Sequence, residues 1–129
     1  MLAICGGMQL LGQDLHDPYH LEGGEGAGPW PGLGLLPLTT KFGGTKALRQ
    51  REVQALWPET IPVSGFELHH GSTRASDDLQ PLCLEPGLGW WSATPAGGCI
   101  AGTYLHGLLD NGPWRRKWLN QLREREGLP

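Results

Sequence analysis

The chain has 129 residues, a formal net charge of −3 and a hydrophobic content of 39%. That length corresponds to one domain or part of one, and the acidic balance argues against nucleic acid or a membrane surface as a partner, since both favour basic proteins. The sequence shows no apolar run near the ~20 residues of a membrane span, no signal peptide and no disulfide framework among its three cysteines. We therefore expect a cytoplasmic chain with free thiols.

Glycine and proline are unusually frequent, with 21 glycines and 11 prolines. Such a content borders on that of low-complexity chains. Here, however, the glycines lie between apolar runs and six tryptophans and show no repeat. The composition therefore favours a globular α/β or α+β chain with many tight turns over a disordered one.

The first predicted element is a short buried strand that ends at Cys5 and is followed by a helix. Apolar residues recur at helical spacing after the Cys5-Gly6-Gly7 break: Met8, Leu11 and Leu15. Strand, sharp turn and helix form the local plan of a nucleophile elbow, here with a thiol. In that geometry the glycines let the helix pack closely, the helix N-terminus stabilises a thiolate, and the Gly6 N–H faces a developing oxyanion. On local pattern alone, a buried structural cysteine is an equally good interpretation.

Residues 17–34 are rich in turn-forming residues and predict a long surface loop. His16 and His20 have the i, i+4 spacing of a helical zinc pair. Pro18 lies between them, however, and no glutamate follows His16, so the metalloprotease pattern fails. We interpret both as solvated loop histidines.

Strand-like runs dominate the middle of the chain. Residues 42–46 resemble a strand end with a turn, and residues 62–71 read as a strand. The runs 89–94 and 99–105 flank the glycine-containing turn 95–98, which predicts a hairpin.

The last predicted element is a helix that begins at Gly112-Pro113 and stops at Gly127. Asp110 or Asn111 is a plausible cap. An i, i+4, i+8 stripe runs along one face: Trp114, Trp118 and Leu122. We expect this stripe to pack into the core and the charged residues on the other faces to be solvated.

Five histidines could supply the base that a cysteine nucleophile needs. His106 directly follows a strand-like run, which places it at the sheet edge where an elbow nucleophile would lie. His69 and His70 end another strand, so at least one of them is expected to face the same cleft. No pair of cysteines or histidines has the spacing of a short metal motif, and we predict no metal site.

Four segments then occur in a familiar order: residues 3–12 (AICGGMQLLG), 32–40 (GLGLLPLTT), 65–73 (GFELHHGST) and 102–111 (GTYLHGLLDN). Together they resemble the class I (triad-type) glutamine amidotransferases, in the branch found in cobyric acid synthase. The resemblance covers nearly the whole chain. It implies an α/β fold with a flavodoxin-like, class I glutamine amidotransferase-like sheet and flanking helices.

The resemblance also implies that the reaction is divided between two domains. Residues 1–129 would be a partial glutaminase domain, truncated at its N-terminus, whose partners are glutamine and a corrinoid substrate. That substrate would be held by a synthetase domain that uses ATP and Mg²⁺ and is absent here, and no G-x-x-x-x-G-K-[ST] loop occurs in the chain. Because a second oxyanion donor would then lie upstream, we expect the isolated chain to hydrolyse glutamine poorly.

The resemblance carries over site residues one by one. Cys5 would be the nucleophile, His106 the acid and base, and Gly6 the oxyanion donor. The residues that would line the glutamine site are Gln9, His69, His70 and Gly71. The wider class has a glutamate two positions after the histidine, where this chain has Leu108. A Cys5–His106 dyad is therefore expected, with Asp110 as a conceivable orienter of the imidazole.

Two alternatives remain open at this point. The same cysteine–histidine layout occurs in cobyrinic acid a,c-diamide synthase and in the glutaminase subunit of lipid II isoglutaminyl synthase, although residues 67–71 favour the cobyric acid branch. A different class of protein is also compatible with the sequence, namely a catalytically silent remnant or interaction module.

Overall fold

The computed structural model describes residues 1–26 and 28–129. Two helices, eleven short strands and a 3-10 helix follow one another in these residues. In chain order they are β1 Leu2–Ile4, α1 Gly6–Leu11, β2 Asp14–His16, β3 Trp30–Pro31, β4 Leu38–Lys41, β5 Ala47–Ala55, β6 Ile61–His69, β7 Ser72–Ala75, β8 Gln80–Pro81, β9 Gly89–Ala93, β10 Cys99–Thr103, β11 Leu105–His106, the 3-10 helix Leu108–Asp110 and α2 Gly112–Arg125.

The strands form three sheets with the orders β1-β10-β9-β8, β11-β6-β5 and β3-β2-β4-β7. Strands β1 and β10 are parallel, as are β2 and β4, whereas the other pairs are antiparallel. The architecture is therefore a mixed α/β one, in which the short parallel pair β1–β10 carries the start of α1.

The strand and helix predicted at the N-terminus are present, but the helix is shorter than its apolar spacing suggested. It ends at Leu11, and Leu15 belongs to strand β2. The reason lies at Gly12, where an added Cβ would stand 2.8 Å from the Leu38 carbonyl oxygen. The chain passes so close to β4 at this point that it leaves the helix and extends beside that strand.

The loop predicted over residues 17–34 consists of turns apart from β3, and residue 27 lies outside the described residues. Its anchor is Asp17, whose side chain is buried and accepts hydrogen bonds from the N–H groups of Leu21 (2.8 Å) and Glu22 (2.9 Å). Burial raises the pKa of the Asp17 carboxyl, but these backbone donors outweigh it and leave the pKa below its ordinary value. The carboxylate therefore fixes one end of the loop.

The predicted strand at 62–71 is confirmed as β6, and the predicted hairpin is confirmed as β9 and β10. The hairpin turn is closed by a hydrogen bond of 2.7 Å from the Thr94 N–H to the Gly98 carbonyl oxygen. Strand β5 was not predicted, yet it pairs with β6 along nine residues. This long ladder forms the frame on which one half of the candidate site is built.

Helix α2 begins at Gly112 as predicted and ends at Arg125, ahead of Gly127 with its φ of +67°. Trp114 is fully buried and Trp118 packs against the core, which confirms core packing for two of the three residues of the stripe, whereas Leu122 is only half-buried. Asn111 precedes the helix, but its side chain bonds the backbone of Ser64 at 2.8 and 2.9 Å and so ties α2 to β6. Within the described part of the chain, no helix is long and apolar enough to cross a membrane.

Four tryptophans form one end of the core, and we call them the tryptophan cluster: Trp57, Trp91, Trp114 and Trp118. The rings form a row in the order Trp91, Trp57, Trp114, Trp118, and the centroids of neighbouring rings lie 5.9 to 6.0 Å apart. The Trp114 indole N–H donates to the Trp57 carbonyl oxygen at 2.8 Å. The cluster thus fastens α2 to the sheets mainly through apolar contact.

Candidate active site

Cys5 occupies the sharp turn between β1 and α1. Its φ of 56° and ψ of −117° form a backbone conformation that non-glycine residues rarely adopt and that costs about 1–3 kcal/mol. The parallel ladder holds the turn, because the Cys5 N–H donates to the Thr103 carbonyl oxygen at 2.8 Å. The side chain is half-buried. This is the geometry of a nucleophile elbow, and here it presents a thiol.

The close packing of α1 depends on a different glycine from those the sequence suggested. A Cβ on Gly6 or Gly7 would meet its nearest neighbour at 3.9 or 3.5 Å, which is ordinary contact. A Cβ on Gly102 would stand 2.4 Å from Met8 Cγ. The expectation that Gly6 and Gly7 permit the close approach is therefore wrong: Gly102 on β10 gives Met8 the space it fills.

His106 lies in β11, where it pairs with Phe66 of β6. The imidazole stacks on the Phe66 ring with centroids 5.0 Å apart and planes inclined by 15°. Gly107 follows with a φ of 81°, which turns the chain away from the sheet immediately after the histidine. Strand pairing and stacking together fix the direction of the ring.

Cys5 and His106 meet at a single main-chain oxygen. Cys5 Sγ and His106 Nε2 each lie 3.3 Å from the carbonyl oxygen of Leu68, so they are at most twice that distance apart. A carbonyl can only accept, so in this arrangement Nε2 carries a hydrogen. Residues from the two ends of the sequence are thereby brought to one point on β6.

The same contact bears on how the imidazole is oriented. Within residues 1–26 and 28–129, no hydrogen bond joins Asp110 to His106, and Asp110 is exposed. The suggestion that Asp110 orients the imidazole is not supported by this geometry. The Leu68 carbonyl and the Phe66 ring hold His106 instead.

The carbonyl of Leu68 is available because the β6–β11 ladder stops one residue short of it. Glu67 pairs with Leu105, and the same register would place Tyr104 opposite Leu68. The Tyr104 N–H, however, donates to the Leu88 carbonyl oxygen at 2.7 Å. The unused carbonyl of Leu68 then accepts the Cys5 and His106 donors.

A cleft of about 330 Å³ opens beside the elbow. The residues that line it are Gly6, Gln9, Leu10, Leu15, Asp17, Glu22, Gly23, Trp30 and Phe42. Gln9 is buried and its amide nitrogen donates to the Tyr104 hydroxyl at 3.0 Å, while its Oε1 lies 3.9 Å from the position of a Cβ on Gly6. The cleft is therefore lined by the Gln9 side chain and by Gly6, the residue that follows Cys5 and begins α1.

The histidine turn after β6 is ordered by its own contacts. His69 uses both ring nitrogens, Nδ1 to the Gly71 carbonyl oxygen at 3.1 Å and Nε2 to Glu67 Oε1 at 2.8 Å. His70 has a buried Nδ1 without a partner among the described residues. Gly71 has a φ of 79°, and a Cβ there would stand 2.2 Å from the Lys41 carbonyl oxygen. Gly71 is thus required for packing against β4, and a role of these three residues in glutamine binding stays a prediction.

Sequence reasoning missed Glu67, which is 7% exposed and lies at the centre of the site's charges. Arg51 Nη2 and Nε approach Glu67 Oε2 at 2.8 and 2.9 Å, and His69 holds the other oxygen. Burial raises the pKa of the Glu67 carboxyl, but the hydrogen bonds and charges of His69 and Arg51 outweigh it and leave the pKa below its ordinary value. The i, i+2 spacing of Glu67 and His69 on a strand was the one available signal, since it places both on the same face.

The other two cysteines have different surroundings. All three are free thiols, but Cys83 is buried in the core, and burial together with the charge of Glu85 raises its pKa to about 12. Cys99 is half-buried at the start of β10. In residues 1–26 and 28–129, no group of three His, Cys, Asp or Glu side chains is placed to hold a metal ion.

Comparison with known proteins gives a consistent result. The profile of the CobB/CobQ-like glutamine amidotransferase domain matches residues 1–114. Proteins named cobyric acid synthase are similar over almost the whole chain: one from Parasynechococcus marenigrum (strain WH8102) is 88% identical over 99% of the chain, and one from Synechococcus sp. (strain CC9605) is 60% identical over 99%. A third, from Gloeobacter violaceus (strain ATCC 29082 / PCC 7421), is 49% identical over 100%. The chain spans about a quarter of the length of these relatives.

Proposed function

Because the chain belongs to the CobB/CobQ-like glutamine amidotransferase family, we propose that it is the glutaminase part of a cobyric acid synthase. In this proposal it hydrolyses the side-chain amide of glutamine and supplies ammonia. The observation that carries the proposal is the meeting of Cys5 and His106 at the Leu68 carbonyl, at the end of a strained elbow.

The first half of the reaction forms a thioester. Cys5 loses its proton to His106, and the thiolate sulfur bonds to the amide carbon of glutamine while the carbonyl electron pair moves to oxygen. The Gly6 N–H, which has no partner inside the helix because it begins α1, stabilises that oxyanion. When the carbon–nitrogen bond breaks, the His106 imidazolium gives its proton to the departing nitrogen, and ammonia leaves.

The second half restores the enzyme. His106, now neutral, takes a proton from water, and the hydroxide attacks the thioester carbon. Collapse of the second tetrahedral intermediate breaks the carbon–sulfur bond and releases glutamate, and the sulfur recovers a proton from His106. Nε2 is the nitrogen that takes and returns these protons, and whenever it carries a hydrogen the Leu68 carbonyl, 3.3 Å away, accepts it, which favours the imidazolium form.

The cleft beside Gly6 is the proposed glutamine site. Its volume of about 330 Å³ lies at the lower end of the range typical of small-molecule sites. The Gln9 amide oxygen lies near Gly6 and suits a hydrogen bond from the substrate's amide or ammonium group. His70, with its unpartnered Nδ1 among the described residues, is the further candidate for a direct contact.

The acceptor of the ammonia belongs to the longer relatives. The relatives' name, cobyric acid synthase, supports an acceptor that leads to cobyric acid. From the family resemblance we propose that this acceptor is a corrinoid carboxylate, which a synthetase domain activates with ATP and Mg²⁺. The relatives are about four times as long as this chain, and we propose that the nucleotide and the metal ion bind in that further portion. The three free thiols fit the cytoplasmic location that we propose.

Glutamate release tests the proposal. The chain and its Cys5→Ala variant are assayed with glutamine, each alone and with the remaining portion of the Parasynechococcus marenigrum relative expressed separately. We expect glutamate release that depends on Cys5, weak in the chain alone and stronger with the added portion. Release by Cys5→Ala equal to that by the unaltered chain under both conditions would contradict the glutaminase function.

A further inference from the structure

A chain of buried contacts connects strand β5 to the helix that follows the nucleophile. Glu67 joins Arg51 of β5 to His69 through hydrogen bonds of 2.8 to 2.9 Å. The His69 ring stacks on the Tyr104 ring with centroids 3.7 Å apart and planes inclined by 15°. The Tyr104 hydroxyl then accepts a hydrogen bond from Gln9 at 3.0 Å. We call these five residues the Glu67 network.

The hydrogen bonds of His69 identify which form of its ring the network holds. Nδ1 faces the Gly71 carbonyl oxygen and Nε2 faces the Glu67 carboxylate, and neither oxygen can donate. Both contacts are hydrogen bonds only when both nitrogens carry hydrogen, which is the imidazolium form. A cationic ring stacked on Tyr104 gains a further attraction to its aromatic face. The Glu67 charge therefore faces the cations of Arg51 and His69 in its hydrogen bonds, and the exposed Arg49 guanidinium at 3.6 Å.

Two residues of the network flank Leu68, whose carbonyl oxygen is the point at which Cys5 and His106 meet. Leu68 lies between Glu67 and His69, so the two anchored side chains fix the peptide units on either side of it. Successive strand residues point to opposite faces, so Glu67 and His69 hold β6 from one face. Arg51 ties them to β5, and Gln9 ties the far end of the network to α1. One set of contacts thus fixes the Leu68 carbonyl relative to α1, the helix that follows Cys5.

We propose that Glu67 is a positioning residue for the dyad, which acts by holding the Leu68 carbonyl and the Gln9 end of α1 in the arrangement that Cys5 and His106 need. This inference rests on the proposed glutaminase function. Among the described residues, no hydrogen bond or ion pair joins Glu67 to the Cys5 thiol or to the His106 imidazole. Loss of Glu67 leaves the Arg51 and His69 cations without their shared carboxylate, and the 67–71 segment shifts as a result. Small shifts of reacting groups are expensive in rate.

The test compares Glu67→Gln with Glu59→Gln, a matched control. Glu59 forms an exposed ion pair with Lys117 of α2 at 3.0 Å, and among the described residues no hydrogen bond or ion pair joins it to the Glu67 network. Both variants keep side-chain size and lose one negative charge. Each is treated with a diazo-ketone analogue of glutamine, and the modification of Cys5 is followed by mass spectrometry over a range of analogue concentrations. ¹⁵N NMR of histidine-labelled protein reports the protonation and hydrogen bonding of the His106 ring, and thermal melting reports folding.

We expect Glu67→Gln to lower the limiting rate of Cys5 modification by about tenfold or more, with little change in the half-saturating concentration. The His106 Nε2 signal should shift in Glu67→Gln, and Glu59→Gln should match the unaltered protein in every readout. An unchanged limiting rate and an unchanged His106 spectrum would overturn the proposal and reduce Glu67 to a stabilising role. A raised half-saturating concentration with an unchanged limiting rate would overturn it in favour of direct substrate contact.

Two further results keep the inference separable from folding and from the proposed function. If Glu67→Gln does not fold, Tyr104→Phe breaks the same network at the Gln9 contact while retaining the ring stack, and it should also lower the limiting rate. If the unaltered protein reacts with no analogue, the glutaminase proposal fails. The His106 spectrum of Glu67→Gln then still decides whether the network holds the Leu68 carbonyl: a shift supports that coupling, and an unchanged spectrum overturns it.

Discussion

The two ends of the core bury large side chains in opposite ways. In the tryptophan cluster, four indole rings pack on one another, and the Trp114 indole is fully buried with one hydrogen bond to a carbonyl oxygen. In the Glu67 network, a carboxylate, a guanidinium, an imidazole and a phenol are joined by hydrogen bonds at almost every polar atom. Apolar burial stabilises a fold without setting the direction of any reactive group. Buried polar groups, in contrast, must keep their hydrogen-bond partners in fixed positions. The difference predicts that stability and reactivity can be altered separately.

The largest expected effect on stability comes from the tryptophan cluster. Trp114→Ala removes a fully buried ring and should lower the free energy of unfolding by about 3–5 kcal/mol. The melting temperature should fall by roughly 10 °C or more. In the fraction that remains folded, the rate of Cys5 modification should stay within about twofold of the unaltered protein.

Trp114→Phe provides the control for this comparison, since it keeps an aromatic ring at the site and loses the hydrogen bond to Trp57. Its free energy of unfolding should lie between that of Trp114→Ala and that of the unaltered protein. A Trp114→Ala variant with an unchanged melting temperature, or with Cys5 modification slowed in its folded fraction, would break the proposed separation of the two ends.

A smaller effect on stability, but with a consequence for reactivity, is expected at Gly102. The Cβ of Gly102→Ala would stand 2.4 Å from Met8 Cγ and 2.9 Å from Met8 Cβ, so α1 must move away from β10. Overpacking of this kind costs about 1–3 kcal/mol. Because α1 carries Gly6 and follows Cys5, modification of Cys5 should slow in the folded protein.

Gly97→Ala serves as the control, since it is the same substitution at a site without crowding. No atom lies within 4 Å of the Cβ position of Gly97, whose φ is 82°. The substitution should lower stability through backbone strain while leaving Cys5 reactivity unchanged. Equal reactivity of Cys5 in Gly102→Ala and the unaltered protein would show that α1 tolerates displacement without loss of the elbow geometry.

The parts of the molecule that sequence could predict are those with a local pattern. The strand–cysteine–helix order, the hairpin around residues 95–98 and helix α2 were all predicted and found. The α/β, class I glutamine amidotransferase-like fold is confirmed by the family to which residues 1–114 belong. The strand and helix around Cys5, the hairpin and α2 are each encoded within about 15 neighbouring residues, where spacing and turn chemistry act directly.

Strand β5 could not be predicted in the same way. Of its nine residues only Val53 and Ala55 are buried, and Leu48 is 69% exposed, so no regular alternation marks it. The partnership of Arg51 with Glu67 depends on the register of β5 against β6, which no local pattern sets. The role of the Leu68 carbonyl has no sequence signature at all, because every residue carries the same backbone carbonyl group.

The central claim is that Cys5 is the reactive thiol of a glutamine-binding site, and selective labelling tests it most directly. The folded protein is treated at pH 8 with the diazo-ketone analogue of glutamine, and adducts at Cys5, Cys83 and Cys99 are quantified by peptide mass spectrometry. Cys83, with a pKa of about 12, has roughly one thiolate in 10⁴ molecules at that pH. The account predicts an adduct at Cys5, prevented by excess glutamine and slowed in His106→Ala, with Cys83 and Cys99 left almost unmodified. Equal labelling of all three cysteines, or labelling of Cys5 that glutamine does not slow, would contradict it.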